Sequence, residues 1–215
     1  TFIFSDPLLI SWHLGSCTPA SLLGENAYLP LKQSRMKSLS IATNPSCWNS
    51  SRESLDLWRF RHLRSISWMG LSRASDFAEF YGVLLRNEKN LHDLKLDVKG
   101  SQRSALIRSL TTRQSPFHEI PNRFPDSKAL YVTGVVFKPI NSDAISSLNI
   151  SRLTSLALNE CPEVGEFLTT STSVAQLTLK SFELVTYRTL LGSLSILDAF
   201  LRGFQSLKRL FRSLY

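Results

Sequence analysis

The pattern Leu-x-x-Leu-x-Leu recurs along this chain at spacings that leave room for one strand and one return per copy. It reads as Leu63-x-x-Ile66-x-Trp68, Leu91-x-x-Leu94-x-Leu96, Leu153-x-x-Leu156-x-Leu158 and Val174-x-x-Leu177-x-Leu179. Weaker copies stand at Met36-x-x-Leu39-x-Ile41 and at Leu207-x-x-Leu210-x-Arg212, whose third position is polar. Residues two apart on a strand share a face, so the last two apolar positions of each copy can enter one core. The copies start at 36, 63, 91, 153, 174 and 207, leaving intervals of 27, 28, 62, 21 and 33. The long interval asks for a degenerate copy, and Lys128-Ala-Leu130-Tyr-Val132 supplies a strand-like candidate.

Periods in the twenties resemble those of leucine-rich repeats, where each unit is one strand with a helical or irregular return. The expected fold is therefore α/β: an irregular leucine-rich-repeat solenoid with parallel strands on the concave face and short helices behind. Residues 1–35, cut by Pro7, Pro19, Pro30, Gly15 and Gly24, are expected to be an irregular N-terminal segment, and residues 36–215 the array. Within it, a strand over 63–69 is expected to stop at Gly70. A helix follows, with Asp76 as N-cap, Glu79 as its box partner, and Phe77, Phe80, Tyr81 and Leu84 on one face up to Asn87. Further helices are predicted over 102–110, over 142–150, from Pro162 with Val164, Phe167 and Leu168 inward, and over 195–204. Strands are predicted near 129–137 and over 153–158 and 175–180, the last with a continuation through 182–185 as an alternative, and residues 206–214 begin another. That last segment is apolar and offers no polar cap, which predicts an array truncated at its C-terminus.

At 215 residues and 43% apolar composition the chain can build one substantial core. No stretch approaches the ~20 apolar residues that a membrane helix needs. The apolar start, Thr1 to Ile10, lacks a positive leading region and carries Asp6, unlike a secretory signal. The expected location is intracellular, cytoplasmic or nuclear. Cys17, Cys47 and Cys161 are odd in number and far apart, so they read as reduced thiols rather than a disulfide framework or zinc site. No phosphate loop, nucleophile elbow or paired-histidine motif is present, and His118 beside Glu119 reads as solvated loop neighbours. No enzyme is expected: no catalytic residue, no metal ligand and no cofactor. The net charge of +8 raises nucleic-acid binding as an alternative function. Its densest cluster is Arg59-Phe-Arg61-His-Leu-Arg64, followed by Lys208, Arg209 and Arg212. Because Asp56, Glu79, Asp93, Glu160, Glu163 and Glu166 are scattered among the basic residues, these charges read as a solvated surface.

Four stretches, Leu57–Trp68, Leu84–Leu96, Leu153–Pro162 and Leu197–Leu210, resemble the leucine-rich-repeat region of fungal F-box-like proteins. The resemblance spans residues 36–210 and implies that the repeats choose substrates for a cullin-type ubiquitin ligase. It places Cys161 at the Asn/Cys turn position of the repeat, a structural role. An F-box itself is not evident, since Tyr28-Leu-Pro30 is too little, so adaptor binding is not expected of this chain alone. The leading expectation is a noncatalytic protein–protein interaction module. Its partner would meet the outward strand positions: Arg64, Ser65 and Ser67; His92, Asp93 and Lys95; Thr154 and Ser155; Gln176 and Thr178.

Overall fold

The computed structural model of the chain describes residues 9–13, 20–33, 35–44, 55–99, 128–137, 148–174, 176–187, 194–204 and 206–214. Most strands form where apolar residues alternate with polar ones. These are β1 (Leu9–Trp12), β2 (Ser38–Ala42), β3 (Ser65–Leu71), β4 (Asp93–Val98), β5 (Ala129–Thr133), β6 (Ser155–Asn159), β7 (Ser181–Thr186) and β8 (Arg209–Leu214). They make one all-parallel open sheet of eight strands, ordered β1 to β8 as in the sequence. The first paired positions are Leu9, Ser38, Ser65, Asp93, Ala129, Ser155, Ser181 and Arg209, so the strand-to-strand steps are 29, 27, 28, 36, 26, 26 and 28 residues.

A parallel pair cannot be closed by a tight hairpin, so each return must cross over. Among the described residues the returns carry α1 (Ala20–Leu23), α2 (Tyr28–Lys32), α3 (Ala74–Asn87), α4 (Val164–Val174) and α5 (Leu194–Arg202). Short 3-10 turns lie at Leu57–Arg59 and Ile150–Arg152. The core sits between the helices and one face of the sheet. Leu39, Ile41, Ile66, Trp68, Leu94, Leu96, Leu156, Leu158, Phe182 and Leu184 bury from the strands. Phe77, Phe80, Phe167, Leu168, Leu197 and Phe200 meet them from the helices. The Phe182 and Phe200 rings lie 5.0 Å apart, and Phe204 stands edge-on to Phe200 at 4.9 Å. The first leucine of each copy (Leu63, Leu91, Leu153) is buried just ahead of its strand, so the strands begin two residues later than the pattern does.

The long 62-residue interval holds β5, with Leu130 and Val132 inward as expected of the degenerate copy. Within 1–35, Leu9–Trp12 forms β1 and joins the same sheet. Four details differ from expectation. Residues 176–180 are not a strand; β7 runs over 181–186, the stretch expected only as a continuation. The pattern is satisfied in two overlapping frames that share Leu179, and packing selects Leu179, Phe182 and Leu184, all at most 1% exposed. Val174, by contrast, ends α4 and is 36% exposed. Pro162 lies in a turn, and α4 begins at Val164, after Glu160 and Glu163 have turned the chain with positive φ. Asp76 is not an N-cap. Helix α3 begins at Ala74, and the Asp76 carboxylate reaches back to accept from Arg73 N at 3.3 Å and Ser72 N at 3.5 Å. Glu79 accepts from Leu57 N at 3.2 Å, tying α3 to the 3-10 turn before β3.

Gly70 bulges β3 rather than ending it. Its φ is +83°, the register against β4 shifts between Met69 and Leu71, and the strand continues to Leu71. The expected helix over 102–110 lies outside the described residues, as does most of that over 142–150.

Leu94 and Leu156 are each no more than 2% exposed and stand two rungs apart in the same core column, with Leu130 between them. Truncating either to Ala is expected to cost about 2–5 kcal/mol, through lost burial and the cavity left behind. Urea unfolding checks this; a loss below about 1 kcal/mol at both sites would contradict close packing there.

Candidate functional site

Opposite the helices, the sheet presents a second face, open among the described residues. Alternation along each strand puts one column of residues on it at Leu9, Ser38, Ser65, Asp93, Ala129, Ser155, Ser181 and Arg209. A second column, two residues on, holds Ser11, Ser40, Ser67, Lys95, Tyr131, Ala157, Glu183 and Phe211. Serine dominates both columns, so the floor is low and rich in hydroxyls. Tyr131 is 36% and Phe211 56% exposed, and they rise above it three strands apart. The Tyr131 hydroxyl lies 3.2 Å from Ser155 Oγ.

Of the expected contact residues, Ser65, Ser67, Asp93, Lys95 and Ser155 lie in these two columns. Ser65 pairs with Asp93 and Ser67 with Lys95. Arg64, His92 and Thr154 stand one residue before the first column. The structure thus brings eight of the ten onto one face and its rim. Gln176 and Thr178 are elsewhere, in the connection between α4 and β7, because the repeat frame is displaced there. Thr178 Oγ1 donates to the carbonyls of Ser151 (3.2 Å) and Leu153 (3.4 Å) and stitches that connection to the previous one. Gln176 lines a cleft of about 380 Å³ with Thr172, Ser173, Leu177, Phe200 and Phe204. Among the described residues this cleft carries no acid, base or thiol.

The position just ahead of each strand forms a ladder of its own, running Lys37, Arg64, His92, Lys128, Thr154, Lys180 and Lys208. Each carbonyl in this series accepts from the N–H of the next member at 2.7–2.8 Å and from the residue after it at 3.0–3.1 Å. Backbone bonds therefore hold these residues in register across seven strands. Lys37, Lys128 and Lys180 were not among the expected contact residues, and Lys208 was read only as part of a solvated basic cluster, although the residue after the first apolar position of each copy was the signal. That column became visible once the frame near 179 was correct: Met36-Lys37, Leu63-Arg64, Leu91-His92, Leu153-Thr154, Leu179-Lys180, Leu207-Lys208.

Cys161 is buried; its thiol donates to Asn159 O (3.3 Å) and sits 3.6 Å from Val132 O, where it satisfies backbone at the turn after β6. Cys17 and Cys47 lie outside the described residues, as do His118 and Glu119. No group of three or more His, Cys, Asp or Glu side chains suited to a metal occurs among the described residues. Nor is any helix among them long and apolar enough to cross a membrane.

The perturbed acids belong to the helix side. Burial pushes the Glu79 carboxyl up to about 7, with Asp56 and Asp76 adding to the rise against the Leu57 N–H bond. Burial also raises Asp76 above its usual range. A carboxyl held neutral by the fold stabilises below its ordinary value and loses that contribution as pH climbs to the folded value. Stability is therefore expected to fall between pH 4.5 and about 7 and then level off. Glu79→Gln should flatten this slope and raise stability above neutrality by about 1–2 kcal/mol, allowing for the partial exposure of the carboxyl. Urea midpoints measured from pH 4.5 to 8 for both proteins test it; parallel curves would remove Glu79 as the source.

No model of a known protein family matches the chain, and no curated protein and no solved structure matches it either.

Proposed function

We propose that this chain is a leucine-rich-repeat solenoid acting as a noncatalytic protein–protein interaction module, which reads its partner on the open strand face. The observation that carries the reading is the sheet itself. Eight parallel strands follow in sequence order at steps of 26 to 36 residues, and none of the helices among the described residues lies over one of the two faces. Such a face is long and regular, and its floor of serines admits close approach by another backbone. Substrate recognition for a cullin-type ubiquitin ligase, inside the cell, is the role that the F-box-like resemblance suggests.

The test is a tagged chain compared with an Arg64→Ala/Asp93→Ala/Lys95→Ala variant, with copurifying proteins identified by mass spectrometry. All three side chains are exposed, so thermal unfolding should be nearly unchanged. A protein partner held by the parent and lost by the variant is the expected result. A partner retained equally by both would move the binding surface off this face. Nucleic acid recovered in its place would favour the alternative, a basic repeat protein that binds nucleic acid.

A further inference from the structure

The ladder ahead of the strands is also a line of charge. Lys37, Arg64, Lys128, Lys180 and Lys208 occupy five of its seven rungs, His92 a sixth, and all five cations are exposed. Among the described residues none of these five has an ion-pair partner. Adjacent strands lie about 4.8 Å apart, so the line runs roughly 29 Å from Lys37 to Lys208, with neighbouring charges about 5 to 10 Å from one another. Those separations fall within the ~8 Å to ~10 Å screening length of physiological salt. Like charges on neighbouring strands destabilise a sheet. The row therefore costs folding energy, and an anionic partner lying along it would relieve that cost.

The surroundings narrow the kind of anion. Next to the row, the first face column offers Ser38, Ser65, Ala129, Ser155 and Ser181, small groups that let a chain settle close to the cations. No Phe, Tyr or Trp stands in the row or in the first face column among the described residues from Lys37 to Arg209, so bases would find only the His92 ring and the Arg64 and Arg209 guanidinium planes to stack on. Tyr131 and Phe211 lie two residues further along their strands. Asp93 and Glu183, exposed on the floor, would repel a polyphosphate spread over the face. A polypeptide can instead set carboxylates on the row and hydroxyls or amides on the floor. Carboxylates on one side of a helix recur about every 5.4 Å, close to the ~4.8 Å rung spacing, whereas those on one side of an extended strand recur about every 6.8 Å.

We infer that the rim formed by Lys37, Arg64, Lys128, Lys180 and Lys208 is the docking site for an Asp/Glu-rich segment of a partner protein. The inference rests on the interaction-module reading and adds the partner's chemistry to it.

The test uses the full chain and two fluorescent probes of equal charge, a Glu-rich 20-residue peptide and an oligothymidine. Binding is followed by anisotropy from low to physiological salt. The row variant is Lys128→Gln/Lys180→Gln/Lys208→Gln; the charge-matched control is Lys32→Gln/Lys99→Gln/Arg202→Gln, away from the row. We expect the row variant to weaken peptide binding about tenfold or more and to flatten its salt dependence, with less than about threefold change in the control. Equal weakening in both variants would reduce the effect to net charge and overturn the proposal. So would a peptide that fails to bind at low salt. Tighter binding of oligothymidine than of the peptide would assign the row to nucleic acid instead. Should the row variant unfold, Lys180→Gln alone against Lys99→Gln makes the same comparison. If the peptide fails while the Arg64/Asp93/Lys95 variant still loses its protein partner, only the acidic-segment inference falls; if that variant also keeps every partner, the interaction-face reading falls with it.

Discussion

Replacing Asn87 with Ala is expected to remove about 3–5 kcal/mol of stability, a large share of the roughly 5–15 kcal/mol that holds a domain folded. Asn87 is the last residue of α3, fully buried and polar. Its Oδ1 accepts from Leu63 N at 2.8 Å, and its Nδ2 donates to Phe60 O at 2.7 Å and Val83 O at 2.9 Å. One amide thus fastens the end of α3 to the segment that leads into β3. Alanine would strand the Leu63 N–H and the Phe60 carbonyl away from water, at about 1–3 kcal/mol for each group. Asn87→Asp separates the two halves of the contact. It keeps the acceptor for Leu63 but faces Phe60 and Val83 with an oxygen, so it should be as damaging at neutral pH and milder in acid. Guanidinium unfolding at two pH values measures both variants. An Asn87→Ala loss below about 1 kcal/mol would show that water or a shifted backbone replaces the amide.

Gly70→Ala is the second large effect, expected at about 3–6 kcal/mol. At φ +83° an L side chain is strained, and a Cβ built there would sit 2.1 Å from the Thr43 carbonyl oxygen. That carbonyl belongs to backbone, which cannot swing aside like a side chain. Thr43 is itself held: its N–H donates to Met69 O at 2.8 Å, its hydroxyl to Gly70 O at 3.1 Å, and Trp68 Nε1 donates to that hydroxyl at 3.1 Å. Moving Thr43 would loosen the end of β2 together with the bulge in β3. Gly82→Ala is the control, because its Cβ would meet only Trp58 Cβ, at 3.2 Å, and the helix favours Ala. Thermal unfolding should separate the two by more than about 10 °C; a Gly70→Ala protein melting with its parent would mean that the β2–β3 approach is looser than described.

The strand copies at 36, 63, 91 and 153 were legible because each places two alternating apolar residues behind a leading one. Periodicity alone also picked out the inner faces of α3 and α5. The copy at 174 was misread because Leu177 and Leu179 satisfy the same pattern as Leu179, Phe182 and Leu184. Only packing against α5, through Phe200, separates the two frames. β1 was hidden by the prolines and glycines around it, since four alternating residues among turn formers look like a loop. The site was legible only in part. Seven of the expected contact residues lie on or beside β3, β4 and β6 in the frame the pattern predicted, with Arg64 beside them. Gln176 and Thr178 followed the displaced frame away from the face. The basic row was not assembled because its members are far apart in sequence, the copy at 174 was read in a displaced frame, and the bonds that align them belong to backbone.

The strand order has a mechanical consequence. Among the described residues each strand is bonded only to the strands before and after it in sequence, and no late strand there closes the sheet over an early one. Tension applied to the two ends therefore need not break the whole sheet at once. It can detach one terminal strand with its return while the remainder keeps its pairing. Each such step frees 26 to 36 residues, or roughly 90–120 Å of extended chain at about 3.4 Å per residue. The molecule would pay out slack in instalments, like a folded ribbon drawn from one edge.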